Sequence, residues 1–325
     1  MLRSFWLCWF WMIVAVSVPA HADVLPFYSQ LGTVNAPGGS IANVSALNSI
    51  GGAIYVNSQS NIPNGTPTMS LGVLPISNAT LAMGGLGMPN FGAGNIGVLV
   101  LGIQGSTVTI NGNVRAAAFD TGVARVYSVP LSSFSTANPA SWTNGTLLAS
   151  YLLSDPTNTL QGNSNAQAVT FSQSVINTIA ENTATANQAQ GRLLFDEYGT
   201  QNFINSTTFD PPAAGNPWYP EQLLLDIGET IQTPSGALPA NYQASLAALD
   251  ALSQLLGLSK FSSYGAFNPQ DPSTSFDYAA AFNGRMIPGI PLQTEVPEPA
   301  SLVVWSMMFM AGLAAYKTRK RHALS

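Results

Sequence analysis

The side chains best suited to covalent or metal chemistry are scarce in this chain, and they sit in odd places. Its two histidines, His21 and His322, and its one cysteine, Cys8, all fall in the apolar or basic terminal segments. The body between them, residues 23–296, has neither imidazole nor thiol. That excludes from the body a Ser-His-Asp triad, a cysteine nucleophile, a zinc or copper site of imidazole or thiolate, His- or Cys-ligated haem, and any disulfide. Carboxylate chemistry survives, and a glycosidase needs two acids roughly 5 to 10 Å apart. Asp196 and Glu197 are adjacent, so on a strand they point to opposite faces. Asp226 and Glu229 have the spacing to share a helical face, although Gly228 weakens that helix. Asp210 and Glu221 flank an aromatic loop. Solvated surface charge accounts for all of them, and the expectation is a non-enzyme with no catalytic residue. No metal or cofactor motif is present; calcium held by Asp and Asn oxygens stays open, because oxygen ligands leave no firm signature.

Two other stretches have binding chemistry. Gly92-Ala93-Gly94-Asn95-Ile96-Gly97 spells G-x-G-x-x-G. A dinucleotide site needs that motif to follow a strand and open a helix. Here a Gly/Pro-rich segment precedes it and the strand-like run Val98-Leu99-Val100-Leu101 follows, so it reads as a loop entering a strand. Trp218 and Tyr219 lie in a Pro/Gly loop and are the candidate sugar contacts, since a flat ring matches the apolar face of a pyranose; a loop aromatic capping the core is the plainer account. The body has five basic side chains against 14 acidic ones, about −9, and such a surface repels nucleic acid. Its abundant Asn, Ser, Thr, Gly and Gln suit an extracellular surface.

The elements that must position these residues read as short strands. Val98 to Ile103 is a continuous apolar run, a candidate buried strand. Thr107-Val108-Thr109-Ile110 leads into Asn111-Gly112, a preferred two-residue hairpin turn, and Asn113 to Phe119 returns. Val123–Val129, Ala168–Phe171 and Gly191–Tyr198 are further strand candidates. Regular short strands argue for a sandwich or a barrel. Glu221 to Ile227 suits a short helix. Ala240 to Leu256 is the clearest long helix, with Leu246, Leu249, Leu252, Leu255 and Leu256 as its apolar stripe and Gly257 as its stop. Residues 268–299, rich in proline, read as a stalk.

Both ends read as addresses. Arg3, the apolar stretch Phe5–Val18 and the Ala20-His21-Ala22 site form a secretory signal peptide with cleavage after Ala22. At the other end, Val296-Pro297-Glu298-Pro299 precedes an uncharged run over 300–316, and Lys317, Arg319, Lys320 and Arg321 follow it. About 17 residues make a helix of roughly 25 Å, just enough for a thin bilayer. The basic cluster holds that end in the cytoplasm as a membrane stop, which puts the body outside.

This order of Pro-Glu-Pro motif, short transmembrane helix and basic tail resembles the PEP-CTERM sorting signal of Gram-negative bacteria. The resemblance covers about 30 of 325 residues. It implies that the chain is the substrate of an exosortase, a membrane-embedded cysteine transpeptidase, acting near Val296-Pro297-Glu298-Pro299. The strand, short helix, strand rhythm before residue 198 is also weakly similar to carbohydrate-binding jelly-roll sandwiches.

The expectation is therefore a mainly β protein. Residues 1–22 form the signal peptide, 23–210 a jelly-roll-like β-sandwich, and 211–267 a helical extension packed on it. Residues 268–299 form the stalk with the motif, and 300–325 the transmembrane helix with its basic tail. Its expected partners are an exosortase, the inner membrane before processing, and exopolysaccharide; nucleic acid is not among them. The expected destination is the cell surface or extracellular matrix, in a structural or adhesive role in biofilm. A carbohydrate-binding module is the alternative, and a carboxylate-dependent glycoside hydrolase the third.

Overall fold

The computed structural model describes residues 27–29, 31–58, 65–111, 114–153, 178–182, 188–198, 203–206, 222–231, 243–267 and 278–291. The strands in chain order are β1 (Phe27–Ser29), β2 (Gly32–Ala36), β3 (Gly39–Ser58), β4 (Pro67–Leu81), β5 (Leu86–Gly87), β6 (Asn95–Asn111) and β7 (Val114–Pro130). There follow β8 (Thr146–Leu153), β9 (Thr178–Asn182), β10 (Gln188–Glu197), β11 (Ile204–Ser206), β12 (Gln222–Ile231) and β13 (Tyr278–Pro291). The described residues also form three helical pieces: a single turn α1 (Pro139–Trp142), the helix α2 (Leu246–Leu255) and a 3₁₀ turn at Phe261–Tyr264.

The sheet closes on itself. Neighbours run β13-β12-β10-β8-β7-β6-β4-β3, and β3 pairs back to β13, giving an antiparallel ring of eight strands. The expected mainly β class holds, but the sandwich does not: there is one closed wall and not two stacked sheets. The physical reason is β13, whose two edges pair with β12 and with β3. Residues 268–299 were expected to be a stalk, yet they contain this strand. Likewise 222–227, expected as a short helix, is part of β12. The helical extension predicted over 211–267 is therefore partly wall.

The ring's slot between β7 and β10 is filled by two strands laid end to end. β8 pairs with β7 from Ser128 to Val123, and β9 pairs with the same strand from Ala118 to Val114. On β10 only Leu193 and Leu194 separate the residue facing Thr178 from the one facing Leu153. β8 and β9 are thus one stave, interrupted by residues 154–177.

Eight strands leave a lumen that side chains can fill. Alternate residues of each stave fill it: Ile54 and Val56 from β3, Leu99, Leu101 and Ile103 from β6, Leu193 and Phe195 from β10, Leu223, Leu225 and Ile227 from β12, Ala280 and Phe282 from β13. This is the reverse of transmembrane barrels, whose interior is polar. At one end β2 and β11 bring Val34, Phe203 and Ile204 into the same cluster, and Phe203 stacks on Phe91 with ring centroids 6.3 Å apart.

A second core lies outside the wall. Tyr55, Met69, Leu71, Val73, Val98, Val100, Tyr127 and Val129 face outward from β3, β4, β6 and β7 and are covered by Trp142, Leu249, Leu252, Leu256 and Phe261. That is why Val98 to Ile103 is apolar without alternation: both faces are buried. Gly102 lets the cover approach, since a Cβ there would lie 2.6 Å from Leu258 and 2.7 Å from Leu256.

α2 begins later than the predicted Ala240: residues 243–245 are not helical, and the Ser245 Oγ caps it by accepting from the Ala248 N–H. Gly257, at φ 79°, ends it as predicted. Leu249, Leu252 and Leu256 are buried, whereas Leu255, expected in the stripe, is 52 % exposed. The cover is tied down by polar contacts. Buried Asn57 donates to the carbonyls of Phe261 (2.7 Å) and Gly265 (3.3 Å), and Asp250 accepts from the Ser262 N–H and hydroxyl, both at 2.7 Å. Arg125 donates to the Leu255 carbonyl at the helix C-terminus, where a cation is favoured.

Phe282 is fully buried in the lumen on the closing strand. We expect Phe282→Ala to cost about 3–5 kcal/mol, read as a lowered denaturant midpoint. Tyr264 donates to Gln104 Oε1 at 2.9 Å, and burial, with a smaller push from Asp120, holds its phenol above the ordinary range. The fold therefore favours the neutral phenol. Its contribution is complete below about pH 10 and is lost as pH rises through the higher folded-state value. An absorbance titration should show a late-ionising tyrosine component that Tyr264→Phe reduces.

Candidate functional site

The side of the wall not covered by helices carries a band of polar residues. In register, Arg192 on β10 faces Asp226 on β12, Asp226 faces Arg285 on β13, Arg285 faces Asn48 on β3, and Asn48 faces Asn78 on β4. Their inward-pointing neighbours, such as Leu193, Leu225, Ile227, Met286 and Leu47, are buried in the lumen. The same alternation that fills the barrel therefore lays these polar groups on its outside.

β3 carries one more residue here than either neighbour. Ser49 pairs with Ile76 and Ala53 with Val73 on one side, while Ser49 faces Gly284 and Gly52 faces Phe282 on the other. Gly51 takes φ 79°, which glycine allows. The two N–H groups freed by the bulge are held from both sides. The Ile50 N–H donates to Ser77 Oγ at 3.3 Å, and the Gly51 N–H donates to Asn283 Oδ1 at 3.0 Å. The result is a shallow, open depression of about 570 Å³, lined by Asn48, Asn78, Asp226, Asn283 and Arg285 and also by Ser49, Ile227, Gly228 and Gly284, with Ile50 exposed at its rim.

Within it, Asn48 Nδ2 donates to Asn78 Oδ1 and to Thr80 Oγ1, each at 2.8 Å. Asp226 Oδ1 takes Arg192 Nε at 2.7 Å, with both side chains about one-third exposed. The remaining polar atoms, namely Asn48 Oδ1, Asn78 Nδ2, Asn283 Nδ2, Asp226 Oδ2 and the Arg285 guanidinium, have no partner among the described residues. Such a set can donate to and accept from hydroxyl groups.

Of the three carboxylate pairs read from the sequence, the structure describes two. Asp226 and Glu229 are on strand β12, so the shared helical face does not exist. Asp196 faces Gln222 across the β10–β12 ladder. Asp210 and Glu221 lie outside the described residues. No group of three or more His, Cys, Asp or Glu is placed to hold a metal among the described residues.

The glycine motif is a loop entering β6, with a structural reason for each glycine. Gly92 and Gly94 have φ 105° and 74°, and a Cβ on Gly97 would lie 2.1 Å from the Phe91 ring. The candidate sugar contacts Trp218 and Tyr219, the cleavage site Ala20–Ala22, the motif Val296–Pro299 and the basic cluster Lys317–Arg321 all lie outside the described residues. No helix among the described residues is long and apolar enough to cross a membrane.

Sequence reading missed Asn48, Asn78, Asn283 and Arg285. The signal was there: Asn283 and Arg285 alternate with apolar Phe282 and Met286, as a half-exposed strand requires.

Comparison with known proteins finds no match to a protein-family model, to a curated protein or to a solved structure. The chain is placed by its architecture: a closed eight-stranded antiparallel barrel with an apolar lumen and one helix-covered flank.

An ion pair this exposed adds little to stability. We expect Arg192→Met to shift the unfolding free energy by less than about 1 kcal/mol, measured by denaturant titration.

Proposed function

We propose that this chain is an exported bacterial surface or matrix protein, processed at both ends, whose barrel serves a structural or adhesive role in biofilm or exopolysaccharide. The observation that carries the reading is the order Val296-Pro297-Glu298-Pro299, uncharged run, Lys317 to Arg321, paired with an export leader ending at Ala22. An exosortase is the processing partner, and the inner membrane holds the chain before it acts.

The layout of the strands is compatible with this. The described strands begin at Phe27 and end at Pro291. A cut after Ala22 and a cut near Pro299 would remove none of them. The ring's closing strand stops five residues short of Val296, so trimming the tail leaves the wall whole.

A second reading, carbohydrate binding, is favoured by the open depression at the β3 bulge, where amide, carboxylate and guanidinium groups stand beside exposed Ile50. It does not depend on a jelly-roll fold.

Intact-mass measurement on protein from its native host tests the first reading. The expected mass is that of a chain starting at Asp23 and ending near Pro299. A chain that keeps residues 300–325 would refute processing.

A further inference from the structure

We infer that the outward polar band binds a linear, neutral glycan laid across the strands. The inference rests on the exopolysaccharide reading above and names the site and ligand class for it. Arg192, Asp226, Arg285, Asn48 and Asn78 sit in register on five successive staves of the ring. Adjacent strands are roughly 4.8 Å apart, so the band follows the curved wall for roughly 19 Å, four of the ring's eight inter-strand steps. That is a row of polar groups at a regular repeat, comparable to the rise of successive pyranose units in an extended glycan. A single small ligand would use only part of it.

The chemistry of the row selects among ligands. A phosphate or sulfate polymer would meet Arg192 and Arg285 but also Asp226 between them, on a body of strongly negative balance. A cation lacks a cluster of acids, because no three acidic groups converge among the described residues. A polypeptide seeking a sheet edge finds none along these staves, since each is paired on both sides in the ring. Neutral hydroxyls meet what is present: free donors on Asn78, Asn283 and Arg285, and free acceptors on Asn48 and Asp226. Vicinal hydroxyls are well matched to planar groups that offer two atoms at once, as guanidinium and carboxylate do.

The site is also held in place before any ligand arrives. Asn48 is fixed by two hydrogen bonds, Asp226 by Arg192, and Asn283 by its grip on the Gly51 N–H. Ordering these side chains is already done by the wall, which lowers the entropic cost of binding. Ile50, 67 % exposed on the bulge, offers an aliphatic surface to the carbon face of a sugar ring.

Saturation-transfer NMR on the full chain tests this, with neutral glucan, mannan and galactan tetrasaccharides as probes and an oligogalacturonate for comparison. We expect transfer from at least one neutral tetrasaccharide and weaker transfer from the acidic one. Arg285→Ala should lower affinity at least about fivefold. Asn283→Asp, which keeps the acceptor for Gly51 and removes the free donor, should do the same, with circular dichroism confirming the fold of both variants. Trp218→Ala with Tyr219→Ala, at the sugar contacts read from the sequence, is the competing arm. The proposal is overturned by absence of transfer from every neutral probe, by preference for the acidic one, or by transfer that survives Arg285→Ala and Asn283→Asp. Transfer lost only in the Trp218/Tyr219 variant would also overturn it, moving sugar binding to that loop. None of these outcomes bears on the mass of the processed chain, so the two readings fail separately.

Discussion

A β-sheet with a free edge leaves a row of backbone donors and acceptors without partners. In this protein the problem is solved by one strand. β13 gives one edge to β12 and the other to β3, and with that the wall has no ends. Everything else in the barrel presupposes this double pairing. The apolar side chains of all eight staves can share one interior only because the last stave meets the first. The polar band on the outside also depends on it, since Arg285 and Asn283 are carried by that same strand.

The outer flank shows a different way of covering apolar surface. β3, β4, β6 and β7 present a second apolar face that no sheet packs against, and a short helix with its 3₁₀ tail covers it. Apolar burial supplies the attraction, but position comes from polar pins. Asn57, fully buried on the wall, holds two carbonyls of the tail, and Asp250 closes the turn from the helix side. Buried amides that reach backbone carbonyls fix one arrangement among the many that a greasy contact would tolerate.

How far the sequence disclosed this can be followed residue by residue. The hairpin near Asn111 was legible from its turn pair, although the ladder pairs Asn111 with Val114, one position off the expected loop. The helix stripe at Leu249, Leu252 and Leu256 and its stop at Gly257 were legible because helical periodicity is local. Closure was not legible, because it depends on a contact between distant segments. β13 was hidden for a second reason: Pro288 and Pro291 sit in it, and proline density suggested a stalk. Bulges hid more. The extra residue on β3 near Gly51, and another on β7 between Phe119 and Thr121, reverse which side chains face inward. A strict two-residue alternation therefore breaks in mid-strand. The polar band went unseen because its members are scattered over more than two hundred positions and meet only across the ladder.

The closing contact joins the two extremes of the described chain. Gly51 and Asn283, bonded across the seam, are 232 residues apart in sequence. Such pairings form late, because a long loop must be ordered before any contact rewards it. Until β13 is available, β3 and β12 stand as open rims on a half-built ring, each a template for a strand from another molecule. A chain truncated before Tyr278 would keep both rims for good, and its characteristic failure would be self-association rather than simple unfolding.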